Sequence, residues 1–169
     1  MPKYGFELEF AAPRGKRSII DQNLPNGFVC GTDVSANKKD NQGLELRSAI
    51  FRQGLPRQKL AKCIKIIKQN EGFVHPVCGF HVHFSGFGEI NMLKVVEFFN
   101  NMKNTNWRSR SSYCRSEWGK YQIIRKLEGD HYEIRIFNSS LKMRAICHYY
   151  ALTRKAIRYA SNSCESVRI

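Results

Sequence analysis

Four short segments of this chain place an apolar residue at every second position and an ionisable or small polar residue between them. In KYGFELEF (3–10), Tyr4, Phe6, Leu8 and Phe10 alternate with Glu7 and Glu9, and in GLELR (43–47), Leu44 and Leu46 bracket Glu45, with Arg47 next. In FHVHFS (80–85), Phe80, Val82 and Phe84 alternate with His81, His83 and Ser85. In HYEIRIF (131–137), Tyr132, Ile134 and Ile136 alternate with His131, Glu133 and Arg135. A period of two is that of a β-strand, whose successive side chains point to opposite faces of the sheet. If the strands share one sheet, one face is apolar and the other carries four Glu, three His and two Arg.

A half-buried antiparallel sheet alternates in this way without any function on its wet face. Wet faces, however, favour Thr, Lys, Ser and Tyr over Glu-x-Glu and His-x-His. Clustered carboxylates repel one another unless a cation or an arginine compensates. Acidic residues are also scarce, 14 against 28 Lys plus Arg, yet four of them fall on these strands. The ionisable face is therefore the place to look for chemistry.

Between the strands the pattern changes. Gly54 and Pro56 introduce a helix over about 56–70, with an apolar stripe Leu60, Cys63, Ile64, Ile67 at i, i+3, i+4, i+7 and Gly72 after its end. A second helix is expected near 89–103, with Leu93, Val96 and Phe99 inward, and a third of about twenty residues after a Ser139 or Ser140 cap. Its buried face would be Ile146, Tyr149, Tyr150, Thr153, Ile157 and Ala160. A further short strand is expected near 28–33, and strands 120–127 and 131–137 form a hairpin about Glu128-Gly129-Asp130. The segment 104–119 has no clean period and reads as a functional loop or lid, and the stretch between the first two strands reads as a Pro/Gly-containing loop. The expected fold is α+β, a curved and mainly antiparallel sheet with helices on its apolar face and the ionisable face as a concave floor.

A chain of 169 residues with 42% hydrophobic and 25% charged residues suits one globular domain spanning 1–169. No apolar stretch approaches the ~20 residues of a membrane span. Glu7 and Glu9 interrupt any signal-peptide core near the start, so a cytoplasmic protein is expected. Six dispersed cysteines without a C-x-x-C pair argue against a zinc ribbon and fit reduced thiols, with Cys63 as core packing. The net charge of +14 favours phosphate-bearing partners. The excess is uneven: seven basic residues and no acid from Leu46 to Asn70, and five with no acid from Leu141 to Ser163. Basic helix faces also occur without any partner.

Magnesium takes carboxylate oxygens, keeps several waters and commonly bridges protein carboxylates to nucleotide phosphates. Glu7 and Glu9 would lie about 7 Å apart along one strand face, a spacing for two neighbouring cations rather than one. Glu45, Glu133 and His81 would complete two coordination shells, and Arg135 would meet a transferring phosphoryl group. The plainer alternative for the histidines is strand residues hydrogen-bonded to their neighbours.

GFELEF, GTDVS, GLELRSAIF, CGFHVHFSG and YEIRIFNSSL, in that order over about residues 3–160, resemble the amidoligase family, related to glutamine synthetase and glutamate–cysteine ligase. The resemblance implies a glutamine-synthetase-like half-barrel. It also implies joining of a carboxylate to an amine through an acyl phosphate, with ATP and Mg²⁺ (or Mn²⁺) required. By the same resemblance Glu7, Glu9, Glu45, His81 and Glu133 are metal ligands, and Glu133, Arg135 and Asp33 are catalytic. Arg110, Arg135, His83 and Ser85 would bind the nucleotide. The chain lacks the added substrate-recognition elements of larger members, which points to a second subunit completing the site, and its high positive charge points to an acidic or nucleic-acid-linked substrate.

Two other classes stay open. His81-Val-His83 is similar to the metal-binding segment of HUH endonucleases, which attack single-stranded DNA with a helix tyrosine, here Tyr149 or Tyr150. That mechanism leaves Glu7, Glu9 and Glu133 without a role. The third possibility is a non-catalytic nucleic-acid binder on a ligase-like scaffold.

Overall fold

The computed structural model describes residues 1–52, 54–102 and 123–162. Its elements are β1 (Lys3–Pro13), α1 (Lys16–Asn23), β2 (Phe28–Thr32), β3 (Asn41–Ser48), α2 (Arg57–Gln69), β4 (Gly79–Ser85), α3 (Met92–Asn100), β5 (Ile124–Lys126), β6 (Tyr132–Asn138) and α4 (Met143–Asn162). The six strands form one antiparallel sheet in the order β2-β3-β1-β4-β6-β5. This is an α+β fold with an open sheet. The four alternating segments are neighbours at its centre.

The apolar sets share one face. Phe6, Leu8, Phe10, Leu44, Leu46, Phe80, Val82 and Ile134 are buried there in one core with side chains of α2, α3 and α4. A register irregularity in the β4–β6 pair sets Phe137, not Ile136, opposite Phe80, and Phe137 packs on Phe99 and Tyr149. Burying one such Leu or Phe side chain contributes about 1.5–3 kcal/mol, so this face dominates the stability of the sheet. On α2, Leu60, Cys63, Ile64 and Ile67 are all buried, as their spacing requires. Tyr149 stacks on Phe137 with ring centroids 4.7 Å apart, and Tyr150 meets Tyr4 edge-on at 5.2 Å, which seats α4 across the apolar face. No helix among the described residues is long and apolar enough to cross a membrane.

Two local readings need correction, and the choice between Ser139 and Ser140 is decided. The stretch after β1 is not all loop. α1 is held by one buried apolar side chain, Ile20, and by Asp21 Oδ1, which accepts the Cys30 N–H at 2.6 Å. A single inward residue leaves no period to read. On α3 Leu93 is 70% exposed, and Val95 and Phe99 are the buried pair. The helix begins at Met92, with Asn91 Oδ1 accepting the Lys94 N–H, and this phase turns Leu93 outward. Before α4, Ser140 Oγ accepts the Lys142 N–H, whereas Ser139 donates its hydroxyl to the Glu9 carbonyl and ties the exit of β6 to β1.

Turn chemistry explains several of the connections. Gly129 takes φ +62° in the β5–β6 turn, where the His131 N–H donates to the Glu128 carbonyl. β3 enters the sheet beneath the 3₁₀ turn Val34–Ala36, and a Cβ on Gly43 would collide with the Asp33 carbonyl oxygen. Of the expected strand 120–127, the described part is Ile124–Lys126; the segment 104–119 lies outside the described residues.

Candidate functional site

Register alone gathers the ionisable side chains, because directly opposed residues in an antiparallel pair point to the same face. Glu7 of β1 stands opposite Arg47 of β3 on one side and His81 of β4 on the other. Glu9 faces Glu45, His83 faces Glu133, and Arg125 of β5 faces Glu133 from the outer edge. An ordinary wet face would leave such groups exposed. Here Glu133 is 1% exposed, His81 3% and Glu9 4%, so the charges are held within the protein and need partners.

The partners form a layered network. His81 lies deepest, with Nδ1 3.2 Å from Glu133 Oε1 and 3.5 Å from Glu7 Oε2, and Nε2 3.3 Å from Glu9 Oε1. Glu9 also accepts the Gly79 N–H at 2.5 Å. Glu45 pairs with Arg47, whose Nε lies 3.9 Å from Glu7. Glu133 pairs with Arg125 through its other oxygen, and Arg135 Nε is 3.8 Å from Glu133 Oε1.

Above His81, one carboxylate oxygen each of Glu7 and Glu133 and one nitrogen of His83 come within 4.8 Å of one another. His83 Nε2 lies 3.5 Å from Glu7 and 4.0 Å from Glu133, and it is buried with no hydrogen-bond partner among the described residues. Its other ring nitrogen, Nδ1, is 3.1 Å from His131 Nε2, so one imidazole donates to the other. With a cation between the carboxylates, His83 would donate from Nδ1 to His131 and present a bare Nε2, the tautomer of a metal-ligating histidine; without one, a protonated Nε2 faces Glu7 and Glu133. Arg135 Nε is likewise buried without a hydrogen-bond partner among the described residues.

The electrostatics follow from the layering. Burial disfavours the Glu7 carboxylate, but hydrogen bonding and charge from His81 and His83 outweigh it and hold its pKa well below the ordinary carboxylate range. Burial and then the charge of Glu7 push Glu45 upward, opposed by Arg47. Burial and then the neighbouring His83 lower His131, against the pull of Glu133. Beside this cluster a cleft of about 380 Å³ is lined by Glu7, Arg47, His83, Ser85, Asp130 and His131.

The residues singled out in the sequence thus divide. Glu7, His81, His83, Glu133 and Arg135 converge, and Ser85 lines the adjoining cleft. Glu9 and Glu45 adjoin the cluster but are engaged by Gly79 with His81 and by Arg47 respectively. Asp33 accepts hydrogen bonds from the Ser35 N–H and hydroxyl, and its charge is felt at Glu45. Arg110 lies outside the described residues. Tyr149 and Tyr150 pack against Phe80, Phe137 and Tyr4, across the sheet from His81 and His83. One contributor, Arg125, escaped the sequence reading, although it and Glu133 are symmetric about Gly129 and so pair across the expected hairpin turn. His131, counted on the ionisable face but given no role there, lies just beyond the same turn. Comparison of the chain with protein-family models, with curated proteins and with solved structures finds no match.

Proposed function

We propose that the chain is an ATP- and Mg²⁺-dependent carboxylate–amine ligase of the amidoligase type, working on the ionisable face of the sheet. The observation that carries this reading is the convergence of Glu7, Glu133 and the unpartnered His83 Nε2. Two carboxylates and an imidazole suit Mg²⁺ or Mn²⁺ with water and phosphate oxygens in the remaining positions. A bound Mg²⁺–ATP would supply the phosphoryl group that activates the carboxylate for attack by the amine. His131 would orient His83, and His81 would hold Glu7 and Glu133 in place from below. Arg135, next to Glu133, and Arg47, on the cleft wall, would meet phosphate charge. The five ordered sequence motifs support the same reading, and the glutamine-synthetase-like half-barrel and any contribution from a second subunit belong to it.

The test is ADP release against pooled amino acids, polyamines and RNA, with and without Mg²⁺. ADP formation that needs Mg²⁺ and one carboxylate–amine pair is expected. Arg135→Ala should lower it about 10²–10³-fold, the usual effect of removing one preorganised charge-stabilising donor. ATP turnover indifferent to every carboxylate would refute the ligase reading. A second reading, a nucleic-acid binder on this scaffold, is favoured by the net charge of +14. RNA or DNA binding with no ATP turnover would select it.

A further inference from the structure

The two acid-free basic stretches of the chain, separated by seventy residues, meet in the fold. Arg52 follows β3, and Arg154 and Arg158 lie one turn apart on α4, where residues i and i+4 share a helix face. The three line a cavity of about 640 Å³ on the helix side of the sheet, together with Tyr4, Phe87 and Tyr150. That size falls within the range of roughly 300–1,000 Å³ typical of small-molecule sites. No acidic residue lines it, and none of the three arginines pairs with a carboxylate among the described residues.

The walls are chemically divided. Tyr4 meets Phe87 and Tyr150 edge-on, with centroids 5.9 and 5.2 Å apart, giving an aromatic end to the cavity. The Arg154 guanidinium carbon sits 6.0 Å from the Tyr150 ring centroid, where an aromatic face already attracts its charge. Burial raises the pKa of the Tyr4 hydroxyl, while Arg154 and then Arg158 pull it back, so the positive field reaches into the cavity. Like charges gathered without counter-ions destabilise a fold, and a bound polyanion removes that cost. Guanidinium groups grip phosphates in bidentate fashion, and aromatic rings take the face or edge of a base.

We propose that this cavity is a nucleotide site distinct from the Glu/His cleft, with phosphates on Arg52, Arg154 and Arg158 and the base against Tyr4, Phe87 and Tyr150. It lies on the opposite side of the sheet from Glu7 and Glu133 and needs no metal.

Calorimetric titration of the full chain with ADP in EDTA tests it. Saturable binding is expected, at least tenfold tighter than for adenosine or pyrophosphate alone, because each offers only half of the ligand. Arg154→Gln with Arg158→Gln should weaken ADP at least tenfold, and so should Arg52→Gln, which sits on a different element. All three side chains are exposed, so thermal melting should confirm intact folds. Arg144→Gln, a single charge loss elsewhere on α4 to set against Arg52→Gln, should change affinity less than twofold. Equal losses in the Arg144→Gln and Arg52→Gln variants would overturn the site in favour of diffuse charge. Loss in Arg135→Gln with none in Arg52→Gln would return the nucleotide to the other cleft. Failure of ADP to saturate at millimolar concentration, while single-stranded oligonucleotides bind, would replace a nucleotide with a nucleic-acid strand.

Discussion

Glu133→Gln should nearly abolish stabilisation by Mn²⁺ while leaving the fold intact. Around a bound cation Glu7 and Glu133 would bring two negative charges beside one imidazole nitrogen, and the substitution removes one of those charges and one oxygen ligand. Suppose Mn²⁺ is supplied at a hundred times its dissociation constant. A ligand that binds only the native state then adds about 2.7 kcal/mol. For a chain of this size that is about 5–11 °C in melting temperature, at roughly 2–4 °C per kcal/mol. If affinity falls a hundredfold, the added stability drops to about 0.4 kcal/mol, or roughly 1 °C. Without metal the variant also turns an amide toward Arg125, at a cost of about 1.5–3 kcal/mol, nearer the lower figure because Arg125 is 38% exposed and can turn to water. The quantity to compare is therefore the metal-induced shift, not the absolute melting temperature. Differential scanning calorimetry in EDTA and in Mn²⁺ measures it for both proteins. A wild type that does not respond, or a variant that responds equally, would refute the ligand assignment.

The remaining predictions concern stability. Because His81 and His83 depress the Glu7 pKa, its contribution is complete above the unfolded carboxylate value of about 4.3 and is lost as pH falls through the lower folded value. Glu7→Gln should flatten that acid limb in a melting series from pH 2 to 6; an unchanged limb would contradict the pairing. Thr153 is fully buried and its hydroxyl has no hydrogen-bond partner among the described residues, so Thr153→Val should stabilise by about 1 kcal/mol in urea unfolding. Gly43→Ala should destabilise by about 1–3 kcal/mol, because its methyl group would strike the Asp33 carbonyl under the 3₁₀ turn. A neutral outcome there would mean that the turn shifts freely.

The sequence by itself determined the strands, the two-faced sheet and the α2 stripe, since these rest on alternation and helical spacing that neighbouring residues impose. It also marked Glu7, His81, His83 and Glu133 as one chemical set, because a period of two assigns a face before any partner is known. It left α1 unseen, where a single apolar anchor, Ile20, carries no period, and it misphased α3, where the Asn91 cap sets the rotation. Only the tertiary structure decided which members of the set meet. Strand order and register put His83 against Glu133 and His81 beneath Glu7, while Gly79 engages Glu9 and Arg47 engages Glu45. The same holds for Arg52, Arg154 and Arg158, which composition could mark only as basic. They share a cavity because α4 lies back across the apolar face and ends beside the exit of β3, a closeness set by packing of the core and not by any local pattern.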